Sequence, residues 1–357
     1  MFHRIVKRQA MVYFFILLFP LLQMATFGNE LIGDEIKESD QASSLVKRSN
    51  DVFRVQNSSG NYLSSLNKLL SVSESRGGLN LNPQVIPSIG IKIKTHMAPG
   101  LQVSPKLLDA LLEILSARGY KSNQIFIADR DLSSLIDAGF HLGVSGVSKY
   151  KKYNLFSSRN SQYYHEDWFH DSPMPPTLHD RTRFFINFPQ DRNRRILEER
   201  KSYLPSLFFL KNVFWINLAV ASDHINLGIN GASANMTTGA ISNYQRFLDR
   251  ATIAPAAVTE ILAIPEIWEK RTYSILDLSK FQFANGGQFD AEFIGRGSTL
   301  LLSENPFSID RFALSVINQK RVEKGLIERQ EEKLLLFKYA LEIGLGDVRK
   351  ARIFNVQ

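Results

Sequence analysis

The sequence predicts an α/β fold, a mostly parallel or mixed sheet covered by helices on both faces and carrying a polar insertion or lid. Three observations predict it. Short apolar or alternating runs take turns with amphipathic segments along most of the 357 residues. One strand, helix, strand unit closes within about forty residues, which implies parallel pairing and a right-handed crossover. Residues 139 to 201 then break the alternation with many Tyr, Ser, Asn, His and Pro.

The first residues read MFHRIVKRQAMVYFFILLFPLLQMATFGNE, with Arg4, Lys7 and Arg8 before an apolar run from Met11 to Phe27 and small residues at Thr26 and Gly28. This layout predicts a secretory signal peptide over residues 1–28. The alternative is an uncleaved, outward-facing anchor, because the run is only slightly shorter than the roughly 20 residues that span a bilayer. Both readings export the chain, to the periplasm or beyond. Residues 29–50 are polar and predict a flexible lead-in, and residues 51–357 a single α/β domain with the insertion at about 139–201.

Within that domain DVFRV reads as a strand, YLSSLNKLLSV as a helix and SIGIKIK as a second strand. In SPKLLDALLEILSARG, Ser104 stands at the N-cap and Pro105 at the first helical position, Leu108, Leu111, Leu112 and Leu115 form one stripe, and Gly119 ends the helix. QIFIAD is the strand that completes the unit. Later strands are VFWINLAV, YSILDL and STLLLS, and later helices APAAVTEILAI, SIDRFALSVINQKR and RQEEKLLLFKYALEIGL.

Composition narrows the chemistry. There is no cysteine, which excludes disulfides, thiolate metal sites, iron–sulfur clusters and cysteine nucleophiles. The net charge of +8 falls to +5 if Arg4, Lys7 and Arg8 leave with a signal peptide, and implies a mild preference for anionic surfaces. The densest basic stretch, QDRNRRILEERK, alternates with acids as a solvated helix does. Without an aromatic and basic platform, nucleic acid is not an expected partner.

Four constellations carry candidate chemistry. In IKIKTHMAPG, Lys92, Lys94 and His96 alternate along a strand and so project from one face, where they could hold a carboxylate or phosphate with His96 as proton donor or metal ligand; a solvated edge strand is the alternative. In ADRD, Asp129 ends the next strand, where open α/β sheets meet ligands, while Asp131 suits a helix cap. His165, His170 and His179 cluster in the insertion, but His165 and His170 are five apart, not the four of a zinc-protease helix. The stretch SDHINLGINGASANMTTGAISNYQRF has no dinucleotide or nucleoside triphosphate cradle. It offers Asp223, His224, Asn226, Asn230, Asn235, Thr237 and Arg246, three glycines that permit close approach, and a helix start in TTGAISNYQRFL whose amides suit an anion.

Taken together, IGIKIKTHMAPGLQVSPKLLDALLEILSARGYKSNQIFIADRDLSSLIDAGF, INLAVASDHINLGINGASANMTTGAISNYQRF and LLLSENPFSIDRFAL resemble the domain-of-unknown-function 362 family over roughly Asp51 to Lys320. Lys92, Asp129, His224, Asn235 and Asp310 stand at positions that match the family pattern. Ser222 and Ala234 stand where the family usually has lysine, and the iron–sulfur cysteines of some members are missing.

These readings converge on two expectations. One is an enzyme acting on an anionic small molecule or envelope polymer, with Lys92, Lys94, Asn226, Asn235, Thr237 and Arg246 binding substrate, His96 and His224 moving protons, and Asp129 and Asp310 orienting a base or metal. For a metal, Asp129, Asp223 and His224 are the candidate ligands; no other cofactor is indicated. The second is a non-catalytic envelope binding or structural protein that has lost the family lysines.

Overall fold

The computed structural model describes residues 48–357 apart from 141–148, 161 and 173. The expected signal segment and nearly all of the lead-in lie outside the described residues. The chain begins with β1 (Val52–Gln56), α1 (Tyr62–Ser75), β2 (Ser88–Lys92), α2 (Pro105–Ala117), β3 (Ile125–Ala128) and α3 (Leu132–Asp137). There follow β4 (Lys149–Tyr150), β5 (Tyr153–Phe156), β6 (Tyr164–Asp171), α4 (Leu178–Asn187), α5 (Arg192–Arg200) and β7 (Lys201–Pro205). The second half holds β8 (Val213–His224), β9 (Gly228–Asn230), α6 (Ala232–Met236), α7 (Gln245–Leu248), α8 (Ile253–Leu262), α9 (Pro265–Trp268) and β10 (Arg271–Gln282). It closes with β11 (Ile294–Arg296), β12 (Thr299–Ser303), α10 (Pro306–Glu323), α11 (Leu335–Glu342) and β13 (Ile353–Val356).

Eleven strands form one sheet in the order β13-β1-β12-β10-β8-β2-β3-β5-β4, with β11 on β10 and β9 on β8. The centre, from β5 through β3, β2 and β8 to β10, is parallel, while β12 is antiparallel to both β10 and β1. The predicted mixed, mostly parallel α/β architecture is what the chain forms. From β2 the chain steps outward to β3 and β5, whereas β8 pairs with the other side of β2 and leads to β10. The crossovers therefore diverge between β2 and β8, and in such sheets the crevice beyond the carboxyl ends at that point is where ligands are met.

Side-chain alternation along β8 divides the interior. Ile216, Leu218 and Val220 join Ile89, Ile91 and the leucines of α2 in one core; Trp215, Ala219 and Ala221 face α6, α8 and α10 in the other. Gly90 of β2 is explained by this packing, because a Cβ there would lie 2.6 Å from the Trp215 ring. The Leu108, Leu111, Leu112 and Leu115 stripe of α2 is buried as predicted, behind Pro105 at its start.

Two expectations are corrected. Residues 149–156 do not belong to the insertion but add β5 and β4 to the edge of the main sheet; the run KYKKYNLF is too rich in lysine to read as a core strand, yet an edge needs only one buried face. The insertion is thus the antiparallel pair β6 and β7 with α4 and α5 between them. The helix expected from TTGAISNYQRFL is absent as such: α6 covers Ala232–Met236, and α7 only Gln245–Leu248. Thr237 and Thr238 turn their hydroxyls back to the carbonyls of Ser233 and Ala234, which competes with helix continuation. Among the described residues no helix is long and apolar enough to cross a membrane.

Candidate functional site

β2 ends at Lys92, so Lys94 and His96 follow the strand instead of alternating along it as expected; Lys92 and Lys94 are both buried, not set on a solvated edge. Each ammonium has three donors, and the protein uses them all. Lys92 Nζ donates to Asp129 Oδ1 at 2.6 Å, Asn235 Oδ1 at 3.0 Å and the Ile93 carbonyl at 2.8 Å. Lys94 Nζ donates to the Val220 carbonyl and to both the carbonyl and the side-chain oxygen of Asn230, at 2.5–3.0 Å. Neither lysine can therefore grip a substrate as expected; both tie β2 to the elements around it. Burial lowers the pKa of Lys92 against the pull of Asp129, and burial takes Lys94 down to about 7.

The acids are equally occupied. Asp129 accepts from Lys92, from the Thr95 amide at 2.9 Å and hydroxyl at 2.6 Å, and from the Arg130 amide at 2.7 Å. Asp131 caps α3 by accepting from the Ser134 amide, as its position predicts. Asp310, on the first turn of α10, accepts from the amides of Ala232 and Ser233 at 2.5 and 2.9 Å and from the Ser233 hydroxyl at 2.6 Å. The amides opening α6 thus already hold an anion, the protein's own. Gly231 makes this possible, since a Cβ there would come within 2.1 Å of the Asp310 carboxylate. Burial pushes Asp310 up to about 6 despite these donors. Asn235 completes the network through Asn217 Oδ1 at 2.8 Å and the Leu218 carbonyl at 3.2 Å. Lys92, Asp129 and Asn235, three of the residues behind the family resemblance, are in direct contact, and a fourth, Asp310, holds the helix that carries Asn235.

The histidines differ. His224, at the end of β8, accepts the Asn226 and Leu227 amides at Nδ1, both at 3.2 Å, so its proton sits on Nε2 as a donor. Desolvation lowers its pKa to about 4. His96 is half-buried. Desolvation lowers it well below 6.5, and the charges acting on it, Lys94, Arg130, Lys92 and His224, all push the same way. Arg130 donates to the Thr238 carbonyl at 2.7 Å and lies over the Tyr244 ring, 3.6 Å from its centroid. It forms no carboxylate ion pair among the described residues. The buried hydroxyls of Tyr163 and Ser222 find no partner among the described residues either.

Other expected residues do not join this cluster. Asn226 donates to the Leu248 carbonyl and Thr237 to the Ser233 carbonyl. Arg246 is a clamp on the insertion, donating to the carbonyls of Glu199, Ser172 and Arg200. As metal ligands, Asp129, Asp223 and His224 are already committed: Asp223 accepts bidentately from Nε and Nη2 of Arg329, at 2.8 and 3.0 Å, and no group of three His, Cys, Asp or Glu able to hold a metal occurs among the described residues. His170 pairs with Glu260 and His165 with Asp167. Arg130, Thr95 and Arg329 are the residues that motif reading missed. Arg130 was visible as the residue after Asp129; Arg329, far along the chain, left no signal.

No protein-family model matches the chain, and no curated protein matches it. Among solved structures it is similar to a Thermotoga maritima protein determined by the Northeast Structural Genomics Consortium, with a TM-score of 0.37 and 9% identity over 72% of this chain. The chain spans 57% of that protein's length. At that distance nothing about function passes between them.

Proposed function

We propose that the crevice between β2 and β8 binds a small anion, a carboxylate or phosphate, with Arg130 and His224 as donors and His96 as the group that carries the proton. One observation supports it above the rest: beyond desolvation, the charges that weigh most on His96, those of Lys94, Arg130 and Lys92, are positive. A ligand bearing negative charge would relieve that field and raise the pKa of His96 toward the range useful for acid–base work. Lys92 and Lys94 supply field and rigidity, not contacts. The likeness to the domain-of-unknown-function 362 family, and export inferred from residues 1–28, favour an envelope compound as the ligand. Binding without turnover is the second reading, favoured by Ser222 and Ala234 at the positions where lysine is usual.

Histidine NMR during titration with inorganic phosphate and with a small dicarboxylate tests the site. The His96 resonance is expected to move, its pKa to rise, and binding to strengthen as pH falls. His96→Gln and Arg130→Gln should each weaken binding at least tenfold, the scale of one charge-assisted hydrogen bond. Anions that leave both imidazoles unmoved would count against an anion site here. Turnover lost in His96→Gln would select the enzyme over the binding protein.

A further inference from the structure

We infer that the α4–α5 pair of the insertion is a docking surface for an anionic phospholipid bilayer. Five of the fourteen large apolar side chains exposed among the described residues fall between Leu178 and Leu197. Leu178, Phe185 and Ile186 on α4 are 60–82% exposed, and Ile196 and Leu197 on α5 49–61%. Their spacing puts most of them on one surface. Leu178, Arg181, Thr182 and Phe185 stand at i, i+3, i+4 and i+7 and so share one helix face, as do Arg192, Arg195, Ile196 and Glu199. Arg181, Thr182 and Phe185 face Arg195 and Glu199 across a shallow recess between the two helices. The inward side is made by Asp180 and Phe184, which are buried.

Charge decides what would cover this face. From Leu178 to Lys201 seven basic residues stand against four acids, leaving +3. Three of the four acids are engaged: Asp180 lies beside Arg183, Glu198 beside Lys201, and Asp191 caps α5, which leaves only the Glu199 carboxylate without a cation partner among the described residues. Arg181, Arg192 and Arg194 pair with no acid among the described residues, while Arg195 donates to the carbonyls of Phe188 and Pro189. Protruding leucine, isoleucine and phenylalanine ringed by free arginines match the two layers of an anionic membrane surface, acyl chains beneath phosphates. A protein partner would need an acidic rim around an apolar hollow, a more particular shape than the flat layers of a membrane surface.

Because the chain has no cysteine, one label reports one place. Full-length Ile196→Cys carrying an environment-sensitive fluorophore should brighten and shift to the blue with phosphatidylcholine vesicles containing about one third phosphatidylglycerol, and not with phosphatidylcholine alone. The response should weaken in raised salt. Adding Arg181→Gln, Arg192→Gln and Arg194→Gln should reduce the partition constant about a hundredfold, at roughly one surface charge's worth each. A label at Lys68→Cys, on α1, should not respond, which separates this face from any membrane contact of the N-terminal segment. Equal responses to both lipids, an equal response at position 68, or a blue shift that grows with protein concentration in the absence of vesicles would each overturn the proposal, the last in favour of a second copy of this chain.

Discussion

Asp129→Asn is the most direct test of the buried network. The Lys92 side chain is 0% exposed and that of Asp129 7%, so water does not screen the pair. Asparagine keeps one acceptor for the Thr95 amide but must turn either its amide nitrogen toward Lys92 Nζ or its oxygen away from Thr95. Removing one partner of a buried ion pair costs about 3–5 kcal/mol, mostly for the charge left behind. With a urea slope of about 3 kcal/mol per M, the unfolding midpoint should fall by more than about 1 M. Lys92 is already depressed by burial, and without Asp129 it is depressed further. The unfolded chain then binds the extra proton, so stability of the variant should recover as pH rises from neutral toward the ordinary lysine range. Lys92→Met combined with Asp129→Asn should cost less than the sum of the single changes by about 2 kcal/mol or more. A loss below about 1 kcal/mol for Asp129→Asn, or strict additivity in the double variant, would refute the view that the lysine is a structural cation.

Two further outcomes follow from the same geometry. His224 is depressed to about 4 from 6.5, so its contribution is complete above pH 6.5 and is lost as pH falls toward 4, amounting to about 3 kcal/mol across that window. His224→Asn keeps an acceptor for the Asn226 and Leu227 amides without titrating, and urea unfolding at neutral pH and near pH 4.5 should show a flatter dependence; an unchanged slope would remove His224 from the account. Arg246→Gln should speed tryptic cleavage between Arg192 and Lys201 by loosening the insertion while leaving phosphate binding intact, and a loss of binding instead would restore Arg246 to the site.

What the sequence disclosed, and what it hid, follows from how far each signal reaches. Periodicity is local, so β2, α2, β3 and β8 could be read directly, and the carboxyl ends of β2 and β8 could be nominated as the site before their adjacency was known. Partner choice is not local. That Lys94 serves the Asn230 oxygens, that Asp310 fills the start of α6 and that Arg329 holds Asp223 depend on contacts between residues 77 to 136 positions apart. The same gap explains the error over the lysines. A lysine in an alternating strand looks solvated unless its acceptors, here from the end of β3, α6, β8 and β9, are already in place.

This bears on Ser222 and Ala234, which stand where the family the sequence resembles usually has lysine. Both are buried, Ser222 fully and Ala234 nearly so. Ala234 packs in the core between the sheet and α8 and α10, where a lysine would displace apolar neighbours or require a ligand to accept its charge. Lys92 and Lys94 have no spare donors for such a ligand. Positive charge reaching the proposed anion crevice therefore comes from Arg130 and from the field of lysines locked behind it, and proton chemistry there falls to His96. An anion in the proposed crevice would be discriminated by imidazole geometry and the guanidinium plane of Arg130, not by a cluster of mobile ammonium groups. Comparing phosphate with a planar carboxylate of equal charge is thus more informative than comparing anions of different charge: a preference for the planar ligand, lost in Arg130→Lys, is the expected result.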